Sequence, residues 1–328
     1  MPANRTPAEA HRIARVNYPP RAIAFVGAFV AILLLAPEHE FGTAILLFAV
    51  FSFLVYPHLA FIHATRAADS KLRVKMTTMP EDKMLVIKTG SAPEAICRQF
   101  DDFDAWFVRL LQPERFDFNI IRVDEGQALP DHRNEIDLAG VLVTGSPAMV
   151  SHGHEWSERT AGWLRQMHAR AVPILGVCYG HQLLAHALGG QVGPNPHGRR
   201  IGTFDIRVTE HDDPLLHIAD DGLPAHSTHV ESVLEPPAGA RVIATAKGDP
   251  HHALYFGEQT WGVQFHPEFD AEIMRAYIRE RRELIDAEGL DSGQLFEQVV
   301  PAPLGNRLLK RFADLCIQYR TTAHAIGA

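Results

Sequence analysis

The sequence predicts an α/β domain with a mainly parallel sheet and helices on both faces, preceded by a transmembrane helical hairpin. From Met84 onward, short apolar runs alternate with amphipathic helical stretches, a pattern typical of parallel strands joined by helices. Before Met84, two long apolar runs stand between clusters of basic residues. We therefore expect a hairpin over residues 1–70, a linker over 71–83 and the α/β domain over 84–328.

The elements of the α/β domain are predicted from their apolar patterns and from the turn residues that bound them. Short apolar runs ended by turn residues are typical of buried strands, and longer amphipathic stretches are typical of helices. Ligands of such sheets bind beyond the carboxyl ends of the strands, so residues that follow strands are the first candidates for a site. The predicted strands are Met84–Lys88, Phe118–Val123, Leu138–Ser146, Pro173–Val177, Phe204–Val208, Arg241–Ala246, Ala253–Phe256 and Trp261–Phe265. The predicted helices are Ala95–Leu111, Ser157–Ala169, His181–Gly190, Ala271–Glu288 and Asn306–Tyr319.

The N-terminal segment carries two long apolar runs, Ala22–Ala36 and Phe41–Tyr56. A helix that spans a bilayer needs about 20 apolar residues, so the second run is long enough and the first is short. Basic residues flank both outer ends and the connecting Pro37–Glu40 is acidic, so the positive-inside rule places both ends in the cytoplasm. We expect residues 18–63 to anchor a cytoplasmic domain in the bacterial inner membrane. A signal peptide and a buried hairpin of a cytosolic protein are the alternatives.

Composition and charge exclude several classes of protein. The chain has 328 residues, 46% of them hydrophobic and 21% charged, which excludes a disordered or collagen-like chain. The net charge of −8 argues against a protein whose main task is binding nucleic acid. Three cysteines without a CxxC pair indicate a reducing compartment and no structural zinc site. The sequence also lacks a P-loop, a dinucleotide-binding glycine turn and the His-Glu-x-x-His spacing, so we expect neither a cofactor nor a metal.

The sharpest local feature is a cysteine placed between a predicted strand and a predicted helix. Cys178 lies at the centre of Gly176–Gly180 (GVCYG), directly after an apolar run. This Gly-x-Cys-x-Gly pattern is the cysteine version of the nucleophile elbow, in which the flanking glycines admit a cramped turn. A helix N-terminus favours the thiolate form of a cysteine placed there. The alternative is that Cys178 is a small residue packed in the core. For Cys97 and Cys316 we favour this packing role.

A histidine and a glutamate follow a later predicted strand. His266 and Glu268 come directly after the strand that ends at Phe265. Residues two apart on an extended chain point the same way, and Pro267 favours the extended conformation for the residue before it, so the carboxylate can orient the imidazole. With Cys178 they provide a nucleophile, a base and an orienting group, as in cysteine hydrolases. The alternative is a strand-end histidine beside a solvated glutamate.

Four motifs together carry a family resemblance. The chain from about Met84 to Tyr277 resembles class I glutamine amidotransferases, in particular the amidotransferase domain of GMP synthetase and its stand-alone relatives. The motifs are Val143–Pro147 (VTGSP), Gly176–Gly190 (GVCYGHQLLAHALGG), Ala225–Val230 (AHSTHV) and Gly262–Phe269 (GVQFHPEF).

The resemblance implies a set of site residues. Residue 146 is usually glycine in the family, and a backbone donor tolerates the serine, although serine restricts the loop more. The segment with His226 and His229 usually serves packing or partner contacts in the family. The implied residues are the triad of nucleophile Cys178, base His266 and third member Glu268, the backbone oxyanion donors Ser146 and Tyr179, and the substrate contacts Gly145 and Gln182.

A second resemblance concerns the N-terminus. The segment Tyr56–Ser70 resembles part of the membrane-associated sensor region that precedes bacterial diguanylate cyclase domains, and the likeness covers about the first 75 residues. No cyclase signature follows. The resemblance implies a membrane anchor fused to the α/β domain.

These features predict hydrolysis of the glutamine side-chain amide through a Cys-His-Glu triad and a thioester. The substrate is then glutamine or a γ-glutamyl compound, and a separate synthetase is the partner that could accept the ammonia, since the chain lacks a pyrophosphatase loop. A γ-glutamyl peptide or amide hydrolase with the same triad is the first alternative. A membrane-tethered binding or sensor protein with a vestigial site is the second.

Overall fold

All described residues of the computed structural model belong to one compact unit, Glu81–Ala328. The predicted hairpin over residues 1–70 lies outside the described residues, as does the linker up to residue 81. Among the residues described, no helix is both long and apolar enough to cross a membrane. The described ranges are 82–111, 115–131, 137–217 and 223–327.

Strands and helices alternate through the first half of this unit, as the apolar pattern predicts. The strands are β1 (Asp82–Lys88), β2 (Phe116–Arg122), β3 (Gly140–Val143), β4 (Ile174–Val177), β5 (Gln191–Pro194), β6 (Arg200–Val208), β7 (Leu223–His229), β8 (Glu231–Glu235), β9 (Arg241–Ala246), β10 (Asp249–Gly257) and β11 (Thr260–Val263). The helices are α1 (Glu94–Phe100), α2 (Phe103–Leu110), α3 (Glu155–Ala169), α4 (Tyr179–Ala187), α5 (Ala271–Glu280), α6 (Arg282–Ala287), α7 (Ser292–Glu297) and α8 (Leu304–Gly327).

Most of the described strands form a nine-stranded sheet in the order β2-β1-β3-β4-β11-β10-β9-β6-β7, and β5 pairs with β8 separately. The strands from β2 to β11 pair in parallel, and the strands from β11 to β7 pair in antiparallel fashion. Strand β4 lies between β3 and β11, with Gly176 opposite Val143 and Val177 opposite Val263. The carboxyl ends of these three parallel strands therefore meet at one edge.

Helices cover both faces of the parallel half. Alternate residues of each strand point to opposite faces of the sheet, and both sets of side chains in β1 are apolar and buried. In β1, Met84 and Val86 belong to one apolar cluster, with the helical residues Trp106 and Phe312. Leu85 and Ile87 belong to the other apolar cluster, which includes residues of α3 and α4. The predicted α/β class with helices on both faces is confirmed for this part of the chain.

Several predicted boundaries differ from the structure. Strand β1 begins at Asp82, so the last two residues of the expected linker belong to the sheet. The predicted helix Ala95–Leu111 is broken at Asp101, whose φ of 71° ends α1, and the side chain of Asp102 accepts from the backbone at the start of α2. The segment Ala225–Val230, which is not among the predicted strands, mostly lies in β7 and pairs with β6. Its residues are mostly polar, so it lacks the apolar run from which the other strands are predicted.

Candidate active site

Cys178 occupies the turn between β4 and α4. Its φ of 51° and ψ of −101° lie where few residues with a side chain are found, so the surrounding structure must hold this turn. A Cβ atom on Gly176 would lie 2.4 Å from the carbonyl oxygen of Gly180, and one on Gly180 would lie 2.4 Å from that of Val143. Both flanking glycines are required by these close approaches. Tyr179 begins α4, at a helix end where N–H groups have no intrahelical acceptor.

His266 and Glu268 lie beyond the end of β11, and both are buried. The Nδ1 of His266 is 2.7 Å from Oε1 of Glu268. Because an ionised carboxylate can only accept, this Nδ1 carries a proton and donates it. The Phe269 ring stacks on the imidazole at 4.2 Å between centroids, and the backbone N–H of His266 donates to the carbonyl of His226 at 2.7 Å. The ring is thereby fixed in orientation, with Nε2 left for another group.

Gly145, at the end of β3, shows how closely the cysteine and histidine approach each other. A Cβ atom on Gly145 would lie 2.9 Å from Cε1 of His266 and 3.7 Å from Cβ of Cys178. Only glycine fits between them without a shift. Gly145 is itself buried and is not among the described residues that line the cleft, and its predicted contact with substrate stays a prediction.

The charges around His266 favour its protonated form. Burial disfavours the imidazolium and would lower its pKa, but the carboxylate of Glu268 and the thiolate of Cys178 outweigh burial and raise the pKa of His266 to about 10. A cationic imidazole beside a thiolate is the ion pair in which a cysteine is an active nucleophile.

The side chain of Ser146 holds the loop after β3 in place through hydrogen bonds. Its Oγ donates to the carbonyl of Thr89 at 2.6 Å and accepts from the backbone N–H of Ala148 at 3.1 Å. The hydroxyl of Thr89 donates to the carbonyl of Gly145 at 3.0 Å. A Cβ on Gly90 would lie 2.7 Å from the Ser146 Oγ, so this bond also needs a glycine at the end of β1. The serine fastens the loop to the neighbouring strand end.

These groups surround a cleft of about 270 Å³. The predicted donors Ser146 and Tyr179 line it, as does Gln182, whose Nε2 donates to the carbonyl of Glu231 at 2.7 Å and to Oε1 of Gln264 at 3.0 Å. Cys178 and His266 also line the cleft, and Glu268 lies behind His266. The structure thus brings five of the seven predicted residues to the wall of one cleft.

Two arginines that are not among the predicted site residues, Arg199 and Arg281, also line the cleft. Arg199 is paired with Glu288, at 2.7 Å and 2.9 Å between guanidinium nitrogens and carboxylate oxygens. Arg281 donates to the hydroxyl of Thr228 at 3.1 Å and lies 5.3 Å from the ring of Tyr277, and no carboxylate of the described residues forms an ion pair with it. Burial lowers the pKa of Arg281. A charged stretch of helix is usually solvated, so its sequence gave no sign of this position.

Comparison with known proteins identifies the fold and this site's family. Residues 99–282 match the model of the family described as "Glutamine amidotransferase class-I". The chain belongs to this family. Residues 16–86 match the model of the MASE2 domain, so both predicted resemblances are confirmed. The amidotransferase match includes the cysteine, the histidine, the glutamate and Arg281.

Curated relatives of the amidotransferase part include two kinds of enzyme. The GMP synthase of Aeropyrum pernix is 35% identical over 147 residues, which are 44% of this chain and 25% of that protein. The GMP synthase of Geobacillus kaustophilus is 32% identical over 209 residues, or 62% of this chain and 37% of that protein. The chain thus spans only 25% and 37% of the lengths of these two relatives. The gamma-glutamyl peptidase 3 of Arabidopsis thaliana is 25% identical over 173 residues, or 51% of this chain and 69% of that protein.

Solved structures share the fold of the described residues. A glutamine amidotransferase of Methylobacillus flagellatus superposes with a TM-score of 0.58 at 22% identity, covering 73% of this chain and 95% of that one. A glutamine amidotransferase of Thermotoga maritima gives 0.56 at 18% identity, covering 74% and 98%. The α/β fold predicted from the sequence is that of class I glutamine amidotransferases.

Proposed function

We propose that the chain hydrolyses the side-chain amide of glutamine through Cys178, His266 and Glu268. One observation carries the proposal: the cysteine of a strained strand–helix turn and a carboxylate-bound imidazole converge on one cleft, with Gly145 between them. Membership of the class I glutamine amidotransferase family supports the same chemistry. The triad, the thioester and the substrate are parts of this proposal.

The first half of the reaction forms a thioester. The thiolate of Cys178 attacks the side-chain carbonyl carbon of glutamine, and the electron pair of the carbonyl moves to oxygen. The backbone N–H groups of Ser146 and Tyr179 stabilise that oxyanion, and one such donor typically contributes about 2.7–4 kcal/mol. Collapse of the intermediate breaks the C–N bond, and His266 gives its proton to the departing nitrogen, which leaves as ammonia.

The second half restores the enzyme. His266, now neutral at Nε2, takes a proton from water as the water attacks the thioester carbonyl. A second oxyanion forms against the same backbone donors, and its collapse releases glutamate and the Cys178 thiolate. Glu268 keeps the Nδ1 proton of His266 in place throughout and stabilises the imidazolium.

Arg281 is proposed to hold the α-carboxylate of the substrate. It and Cys178 contact the same residue: Nη1 of Arg281 lies 3.1 Å from Oγ1 of Thr228, and Sγ of Cys178 lies 3.8 Å from the Thr228 carbonyl oxygen. In glutamine the α-carboxylate is only four bonds from the side-chain carbonyl carbon. A largely buried guanidinium without an ion-pair partner among the described residues is well suited to a carboxylate, since charge-assisted bonds are strong.

A γ-glutamyl peptide or amide hydrolase is the second candidate function. It uses the same acyl chemistry, because the γ-glutamyl group presents the same carbonyl and α-carboxylate with a different leaving amine. The chain spans 69% of gamma-glutamyl peptidase 3 but only 25% of the Aeropyrum GMP synthase. The similarity to gamma-glutamyl peptidase 3 supports this second candidate.

Whether ammonia passes to a synthetase partner depends on the oxyanion loop. The bonds of Ser146 to Thr89 and Ala148 fix this loop to β1 without help from another protein. We therefore infer that the chain turns over substrate alone and that a synthetase partner, if one binds, receives ammonia without switching the site on. The match to MASE2 over residues 16–86 supports a membrane-anchored enzyme whose catalytic part faces the cytoplasm.

A substrate panel tests the proposal. The purified full chain is assayed for ammonia release from glutamine and for cleavage of γ-glutamyl amides and peptides, with Cys178→Ala as the matched inactive control. Turnover of glutamine that the variant lacks supports the first function, and cleavage of γ-glutamyl peptides in preference to glutamine supports the second. Wild-type inactivity on every substrate, with turnover restored by Ser146→Gly or by an added synthetase, would overturn the self-sufficient site.

A further inference from the structure

Three buried side chains from two strands of the antiparallel half meet beside the active-site cleft. His229 ends β7, and Asp249 and His252 belong to β10. Their exposed fractions are 6%, 1% and 1%. One ligand atom from each lies within 4.8 Å of the others, with Nε2 of His229 at 3.7 Å and Nδ1 of His252 at 3.0 Å from Oδ2 of Asp249. None of these residues takes part in the proposed mechanism.

The hydrogen bonds of His229 leave a lone pair aimed at the carboxylate. Its Nδ1 lies 2.9 Å from the carbonyl oxygen of Glu231, and because a carbonyl only accepts, Nδ1 carries the proton. In the neutral ring, Nε2 is then an acceptor, and it has no hydrogen-bond partner among the described residues. The atom it faces, Oδ2 of Asp249, is an acceptor as well. Two buried acceptor atoms that face each other are unfavourable unless a cation lies between them.

Two of the three separations between the ligand atoms are close to those around a transition-metal ion. Zinc binds imidazole nitrogen at about 2.0–2.1 Å and carboxylate oxygen at about 2.0–2.2 Å, so neighbouring ligands of a tetrahedral ion lie about 3.3–3.5 Å apart. The separations here, 3.0 Å and 3.7 Å, bracket that range. A metal would replace the bond between His252 and Asp249, and the proton of His252 would move to Nε2, 3.4 Å from the hydroxyl of Ser227.

The hydrogen bonds that His229 and Asp249 make to the backbone resemble those of metal-binding residues. Metal-binding histidines commonly donate their second N–H to a backbone carbonyl or a carboxylate, as Nδ1 of His229 does to Glu231. The other carboxylate oxygen of Asp249 accepts from the backbone N–H of His251 at 3.3 Å. Asp249 also lines a second cleft, of about 140 Å³, and His229 lines the active-site cleft.

We propose that His229, Asp249 and His252 bind a zinc ion or a similar divalent transition metal. Two neutral imidazoles and one carboxylate are a ligand set that zinc accepts. His229 follows Thr228, whose carbonyl lies 3.8 Å from the Cys178 sulfur, so the ion would brace the wall of the active-site cleft without touching the reacting atoms. The site is not evident from the sequence, because its ligands come from β7 and β10, which are not neighbours in the chain.

Metal content and a spectroscopic probe test this proposal without reference to activity. The full chain is stripped with EDTA, loaded with Zn²⁺, dialysed and analysed for bound zinc, and Co²⁺ is titrated into a second stripped sample. We expect one equivalent of zinc and the visible absorption bands of tetrahedral cobalt, which zinc then displaces. A wild-type chain that retains less than a tenth of an equivalent of zinc and gives no such bands would overturn the proposal.

Variants assign the ligands. Asp249→Asn and His252→Gln keep the size and hydrogen-bonding capacity of each side chain, and each should weaken zinc binding at least tenfold. His217→Gln, at an exposed histidine, is the matched control and should bind like the wild type. Circular dichroism verifies the fold of each variant. If Asp249→Asn does not fold, the comparison is made with His252→Gln. Equal zinc binding by wild type, folded ligand variant and control would place the metal on surface histidines and refute the site.

Discussion

At the residue scale, the groups around His266 keep its imidazole positively charged. Burial would lower its pKa, but Glu268 and the thiolate of Cys178 raise it to about 10 from an ordinary 6.5. A group with a raised pKa stabilises the folded state fully below its unfolded pKa, and this contribution is lost as the pH rises through the folded pKa.

The pH dependence of stability should therefore reveal this ion pair. We expect the difference in free energy of unfolding between wild type and His266→Gln to be largest below pH 6.5 and to shrink as the pH rises to about 10. Chemical denaturation at a series of pH values measures it. His217→Gln, at an exposed histidine, should show no such trend. A difference that stays constant or grows with pH would contradict the assigned charges.

Arg281 allows a test of substrate binding at the same scale. Arg281→Lys keeps the charge but loses the planar fork, so we expect the KM for glutamine to rise about tenfold while kcat changes little. The matched control is Arg282→Lys, because Arg282 is the next residue and its side chain is 73% exposed. Steady-state kinetics separate the two constants. A fall in kcat with unchanged KM would assign Arg281 to the reacting centre and not to the carboxylate.

At the scale of elements, the loop after β3 depends on one hydroxyl. Ser146→Ala removes the bonds to Thr89 and from Ala148, and we expect the free energy of unfolding to fall by about 1 kcal/mol. The loosened loop should lower kcat about tenfold, less than the loss of an oxyanion donor. Thr321→Ala removes a hydroxyl bonded to a backbone carbonyl on the exposed face of α8 and should leave kcat unchanged. Unchanged kcat in Ser146→Ala would show that the hydroxyl does not set the loop geometry.

The elements that sequence predicts well are those whose signals are local. The strand–turn–helix around Cys178 is encoded by an apolar run and two glycines, and the approach of His266 to Glu268 by their spacing after a strand. Strand β7 has few apolar residues, and the predicted helix Ala271–Glu288 is divided at Arg281 into α5 and α6, so neither feature follows from an apolar pattern. Because Arg281 lies at that division and His229 lies in β7, the sequence did not reveal the arginine proposed to bind the carboxylate or the proposed metal site.

At the scale of the whole molecule, the two matched regions predict separable parts. Strand β1 begins at Asp82, so deletion of residues 1–78 leaves the described sheet complete. We expect the full chain to sediment with membranes and the truncated chain to remain in the supernatant with the same kcat, because the MASE2 match covers residues 16–86. Fractionation and glutaminase assays measure both. A full chain found entirely in the supernatant would contradict the anchor.

A covalent intermediate at Cys178 is the step that distinguishes the proposed mechanism from other routes to hydrolysis. The full chain is mixed with glutamine, quenched in acid within milliseconds and digested, and the peptides are examined by mass spectrometry. We predict a γ-glutamyl thioester on the peptide with Cys178 and none on those with Cys97 or Cys316; burial raises the pKa of both of these thiols. His266→Ala should abolish the adduct. Turnover of glutamine without any adduct on Cys178, or an adduct on another cysteine, would contradict the mechanism.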